Sequence, residues 1–177
     1  MRRDALRAAC LASIALASNS SGAQTQQDHP LTSMKRAQDS GVIFEWRTAD
    51  THLQGCMQAQ TKGWVTVGFN TRPTLDGARL VMGRVDAQSG LIEIHQAMPP
   101  RHEMRHSSAS KSAAIQLINS EQRSGLTQIC FRMALAASYM GDVALSVGKP
   151  VHLILAWSHE RDFQHHSAQR GVVNTVL

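Results

Sequence analysis

The chain has 177 residues, 42% of them apolar and 18% charged, the size of one domain able to bury a core without metal or disulfide support. Of its net charge of +5, Arg2, Arg3 and Arg7 against Asp4 supply +2; the remaining +3 is scattered singly without interleaved aromatics, which excludes a nucleic-acid surface. No segment approaches the roughly 20 apolar residues of a membrane span, and the lack of nucleophile-elbow, P-loop, dinucleotide and H-E-x-x-H patterns or paired carboxylates argues against an enzyme.

In chain order, residues 1–23 read as a signal peptide: a charged start, an apolar stretch over 8–17 and the small residues Ser21, Gly22 and Ala23 before a cleavage point. The mature protein is expected in the periplasm or secreted, so any membrane redox partner is a separate chain. Residues 24–40 form a polar leader with Pro30, which orders only by pairing at a sheet edge.

From Gly41 to Leu177 a single domain is expected. Runs rich in Val, Ile, Thr and aromatics recur at 42–46, 53–60, 64–69, 78–85, 91–97, 114–118, 126–133, 151–157 and 171–177. This spacing predicts an all-β fold, an antiparallel β-sandwich of about nine to eleven strands, immunoglobulin-like. Tight links at Thr61-Lys62-Gly63 and Arg123-Ser124-Gly125, and a longer one over 86–90, predict antiparallel neighbours. Residues 101–113 read as a long loop, and the Ala-rich 133–140 as a short helical turn.

Cys10 belongs to the signal, leaving Cys56 and Cys130. Export permits a disulfide. Both cysteines alternate with polar residues, so both fall on polar faces, and a bridge requires their strands to be neighbours in one sheet. That question stays open at this level.

Nine histidines are the compositional excess. They group as His95, His102 and His106, then His152, His159, His165 and His166, and imidazole binds transition metals and haem iron. Exposed loop histidines such as His102 and His106 are ordinarily solvated, and His152, in an apolar strand, is expected to be buried and hydrogen-bonded. The His165-His166 pair, before Arg170 and Gly171, is harder to assign to surface alone. Copper or zinc held by His165, His166, His102 and His106, with His95, is one reading. Most methionines are expected to fill the core, with Met98 and Met104 flanking the histidine-bearing loop. Trp46, Trp64 and Trp157 carry another reading, a sugar or small-molecule module in which an indole face stacks on a ring.

The blocks GWVTVGFN at 63–70, TLDGARLVMGRVD at 74–86, GLTQICFRM at 125–133 and LILAWSHERDFQHHSAQRG at 153–171 resemble, in order and spacing, the DOMON domain. That secreted β-sandwich occurs in relatives of dopamine beta-monooxygenase and in the cytochrome portion of cellobiose dehydrogenase. The resemblance implies a haem b or sugar-binding module, the haem form serving electron transfer through Met and His axial ligands. The histidine falls on His166, with His165 as the alternative, and Arg170 joins the candidate cofactor residues. The methionine falls on Leu75, which cannot ligate iron. A haem here is then five-coordinate, recruits Met98, Met104 or His102, or is no longer held. Arg79 stands where many relatives carry an acidic residue. The ligand is expected in a cavity between the two sheets, near Leu75 and the His165-His166 turn.

Overall fold

Alternating apolar and polar residues build the first of two sheets, because a strand turns successive side chains to opposite faces. The computed structural model describes residues 33–86, 92–98, 105–108, 115–137 and 143–177, with 92–98 and 105–108 described through their backbone. The segment 1–23 that reads as a signal peptide lies outside these residues. Eleven strands appear among them: β1 (Lys35–Asp39), β2 (Val42–Thr48), β3 (His52–Ala59), β4 (Val65–Asn70), β5 (Arg79–Val85), β6 (Ile92–Met98), β7 (Arg105–Ser108), β8 (Ile115–Arg123), β9 (Leu126–Ala134), β10 (Pro150–Trp157) and β11 (Gln169–Val176). They form a five-stranded sheet in the order β1-β2-β3-β9-β8 and a six-stranded sheet in the order β11-β10-β4-β5-β6-β7. All pairings are antiparallel.

Between the sheets lies a closed apolar core. Phe44 stacks on Trp46 at 5.1 Å and on Phe131 at 6.2 Å, and meets Phe69 edge-on at 5.9 Å. Val67, Leu153 and Leu155 of the six-stranded sheet complete it, each fully buried. Two hairpins close through two-residue turns in which both residues have positive φ: Ser40 (48°) with Gly41 (79°), and Ser124 (51°) with Gly125 (80°). That geometry matches the twist of the flanking strands.

Residues 35–39 of the polar leader pair with β2 as an edge strand, the condition on which its ordering is expected. Three expectations need correction. Thr61-Lys62-Gly63 does not join neighbours in one sheet: β3 and β4 belong to different sheets. The physical reason is the binding of this link to the far sheet, since the Thr61 hydroxyl donates to the Ser158 carbonyl at 2.6 Å. The 101–113 segment includes β7, polar in sequence but paired with β6. Residues 133–134 end β9 and Leu135 and Ala136 form a bend, not a helical turn, while 138–140 lie outside the described residues.

Cys56 and Cys130 sit directly opposite each other on β3 and β9 and form a disulfide, with Cα atoms 4.0 Å apart. Both lie on the outer, polar face, alternating with the core residues Met57, Ile129 and Phe131. Near the start of β3, burial and then the charge of Arg132 hold the His52 imidazole below its usual 6.5. The unfolded chain therefore binds this proton more readily. Stability from this group is full above about pH 6.5 and falls as the pH drops through that value, levelling off below the folded pKa. Urea midpoints measured from about pH 8 to about pH 5 should decline less steeply in His52→Gln than in the parent.

Candidate functional site

Three strands of the six-stranded sheet carry apolar residues in both parities, the pattern of strands buried on both faces. On β4, β5 and β10, Val67, Val81, Leu153 and Leu155 face the core between the sheets. The alternate residues Leu80, Met82, Ile154 and Ala156 form a second buried cluster with Trp64, Ala78 and Phe163, on the outer face. Gly68 sits within it; a Cβ there would press on Leu80 and Ile154. The expected ligand cavity between the sheets is thus not where the candidate residues lie. Side chains fill that space, and the candidate loops fold over the outer face instead.

Two loops reach this cluster from opposite ends of the β4–β10 pair. One, 71–78, leaves β4 after Asn70. The buried Asn70 amide donates to the carbonyls of Thr74 (2.6 Å) and Asp76 (3.1 Å), and its oxygen accepts from the Thr71 N–H (2.8 Å). A turn pinned in this way presents Leu75, partly buried, to the outer cluster.

The other loop, 158–168, leaves β10 and carries the histidine pair. The buried Ser158 roots it: its hydroxyl donates to the His166 carbonyl at 3.2 Å and accepts from the Glu160 N–H at 3.1 Å. Trp64 joins the same loop to β4, donating from Nε1 to the Asp162 carbonyl at 3.1 Å and accepting at its own carbonyl from Ser158 N–H at 3.0 Å. Phe163 turns inward to the cluster, with the Arg84 guanidinium 5.2 Å from its ring centre. Arg84 also donates to the Arg161 carbonyl, and Arg161 answers with a hydrogen bond to the Val85 carbonyl at 2.9 Å and an ion pair to Asp86 at 3.4 Å.

This fixed backbone leaves the side chains of His165 and His166 exposed, two and three residues beyond Phe163. Arg170 is exposed as well, on β11 directly opposite Ala156. The fold therefore brings Leu75, the histidine turn and Arg170 to one face. His95 and His106 are placed by backbone register alone, opposite Met82 and Ala97. His102 and Met104 lie outside the described residues. No group of three or more His, Cys, Asp or Glu converges to hold a metal among the described residues.

Other candidates separate. Arg79 is fully buried on the opposite, core-facing side of β5 and donates to the Ala136 carbonyl at 3.2 Å, so its charge does not face the Leu75 cluster. Trp46 and Trp64 are buried, and the partly buried Trp157 donates to the Ser40 carbonyl at 2.8 Å. His159 meets the Trp157 ring edge-on at 4.7 Å. Trp46 and Trp64 thus have no indole face free to stack on a sugar. A cleft of about 330 Å³ at the β8–β9 turn, lined by Gln60, Glu121, Arg123, Ser124, Leu126 and Gln128, shares no residue with the histidine site.

The outer-face cluster itself is what sequence reasoning missed. Its signal was present in the unbroken apolar stretches 80–82 and 153–157, which leave no polar face for water.

A family model described as the DOMON domain matches residues 38–158. The match takes in the Leu75 turn and ends before His165 and His166. Among solved structures, the cytochrome b domain of pyranose dehydrogenase from Coprinopsis cinerea is similar to this chain, with a TM-score of 0.58, 12% sequence identity, and 81% of this chain and 80% of that chain covered. At such identity the likeness shows a common fold.

Proposed function

The chain belongs to the DOMON domain family, and from that premise we propose that it is an exported module that binds haem b for electron transfer and performs no catalysis of its own. The observation that carries this reading is the convergence of two loops on one buried apolar cluster, one loop bearing adjacent histidines. A neighbour of the same fold that is named a cytochrome b domain adds support.

The residues fit such a group in chemical kind. An imidazole is an ordinary iron ligand, and His166 is the candidate, with His165 as the alternative. Leu80, Ile154 and Phe163 are buried and Leu75 partly so, an apolar lining of the kind that would keep water from a porphyrin face. The exposed Arg170 guanidinium on the same face suits the propionates at a haem edge. When bound, the haem would supply one-electron exchange at iron, its potential set by axial ligands and burial. Ser158 and Trp64 hold the backbone of the histidine loop, and Asn70 holds the turn that carries Leu75.

Export is supported by the N-terminal signal pattern and suits a chain with a Cys56–Cys130 bridge, since disulfides persist in oxidising compartments. No helix among the described residues is long and apolar enough to cross a membrane.

The test is an absorption spectrum of the full chain exported into a haem-replete periplasm, before and after dithionite. A Soret band that shifts on reduction and is lost in His166→Ala is expected. A band that survives in His166→Ala and is lost in His165→Ala would move the ligand by one residue. A featureless parent spectrum would refute haem binding.

A further inference from the structure

The histidine loop leaves the six-stranded sheet, yet its root is held from the five-stranded one. Three buried hydroxyls lie between them: Thr127 on β9, Thr61 in the link between the sheets, and Ser158 directly after β10, none more than 4% exposed. The Thr127 hydroxyl donates to the Thr61 carbonyl at 2.7 Å and accepts from the Gln122 amide of β8 at 3.0 Å. The Thr61 hydroxyl donates to the Ser158 carbonyl at 2.6 Å and accepts from the Gly63 N–H at 2.9 Å. The Ser158 hydroxyl in turn donates to the His166 carbonyl and accepts from the Glu160 N–H.

A hydroxyl has one proton to give, and each of these gives it to a carbonyl while an N–H occupies a lone pair. All three rotors are therefore fixed, and they run in one direction, from β8 through β9 and the link to the backbone of His166. Burial makes each step costly to remove, because a carbonyl that loses its donor there finds no water in its place. Apolar packing alone would hold this end of the sandwich together without fixing the loop, since it is non-directional, whereas a hydrogen bond weakens steeply away from linear. The exposed His166 imidazole takes no part in the chain, which leaves its ring nitrogens available to a ligand.

We propose that Thr61 is a positioning residue for the iron ligand: acting through Ser158, it sets where the backbone of His165 and His166 stands, and Thr127 sets Thr61 in turn. This role rests on the haem reading above, while the hold on the loop itself is measurable without haem. No bond is made or broken in it, and the hydroxyls keep their protons.

The experiment uses the full chain with Thr61→Val, which keeps the shape and removes the hydroxyl, Thr61→Ser, which keeps the hydroxyl, and Thr127→Val. Ile129→Val, a core change on β9 outside the hydroxyl chain, controls for stability alone. Backbone hydrogen exchange is read first, without haem. In Thr61→Val the N–H groups of Glu160 and Trp64, which close the loop root, should exchange about tenfold faster relative to the β2–β3 hairpin, as the loss of one buried hydrogen bond implies. Loss of haem to an excess of a haem-scavenging globin should quicken by about the same factor, with a shifted Soret maximum. Thr127→Val should move both readouts in the same direction, and Thr61→Ser and Ile129→Val should match the parent in both. A folded Thr61→Val with parent exchange would overturn the hold on the loop. Faster exchange with unaltered haem loss, or equal effects in Ile129→Val, would overturn the positioning role while leaving haem binding intact. A parent that takes up no haem would remove the underlying reading, and the positioning role with it. If Thr61→Val fails to fold, Thr127→Val decides: parent values in both measurements overturn the proposal.

Discussion

Replacing Cys56 and Cys130 together by alanine is expected to lower the free energy of unfolding by about 4 kcal/mol. The bridge joins residues 74 apart in sequence, so in the unfolded chain it closes a long loop, and chain-entropy arguments assign the larger stabilisation to longer loops. That is a large share of the roughly 5–15 kcal/mol by which domains are stable. The two thiols lie on the polar face of the five-stranded sheet, on the far side of the sandwich from the histidine loop. Any haem spectrum should therefore be unaltered while the urea midpoint falls. A loss below about 1 kcal/mol would show that the bridge constrains the denatured chain little.

Gly63→Ala is expected to cost about 3 kcal/mol and to weaken ligand binding in the same step. An added Cβ would overlap the carbonyl oxygens of Ser158 and Glu160 and the carbonyl carbon of His159. These are backbone atoms, the Glu160 oxygen accepting from the Trp64 N–H and the Ser158 oxygen from the Thr61 hydroxyl, so no rotamer change relieves the contact. Relief comes only by pushing the root of the 158–168 loop outward, and the histidine pair moves with it. Denaturant titration reads the first effect; haem titration should show at least a tenfold loss in affinity, about 1.4 kcal/mol. An unchanged affinity would show that the loop root does not set the histidine position.

The contrast between these two sites shows what was legible in the sequence. Alternation at 126–133 correctly put Cys130 opposite in parity to Ile129 and Phe131, because side-chain direction is a local property of a strand. Whether β3 lies beside β9 is a long-range matter, and only the folded register answers it. The link at 61–63 was misread for the same cause: a Thr-Lys-Gly turn has hairpin chemistry, and the hydrogen bond that sends β4 to the other sheet comes from a residue 97 positions away. β7 was missed because Arg-His-Ser-Ser lacks apolar alternation, its pairing being supplied by β6. At the site, the unusual run near the C-terminus drew attention to His165 and His166, and the family pattern to Leu75. His152 reads as a hydrogen-bonded core histidine, since sequence does not show that β10 is packed on both faces with an imidazole left unsatisfied.

The two site loops spring from opposite ends of one strand pair, Asn70 beside His152 at one end and Val65 beside Trp157 at the other. Six residues of paired strand separate those ends, roughly 20 Å of rigid backbone. β4 and β10 thus act as a ruler. The gauge of the site is set by the hydrogen-bonded length of two strands, and loop sequences can vary at either end without changing it. A two-residue insertion in both strands would preserve every side-chain face and the pairing of β4 with β10, shift the register of each against β5 and β11, and widen the span by about 7 Å, turning the same fold toward a bulkier guest.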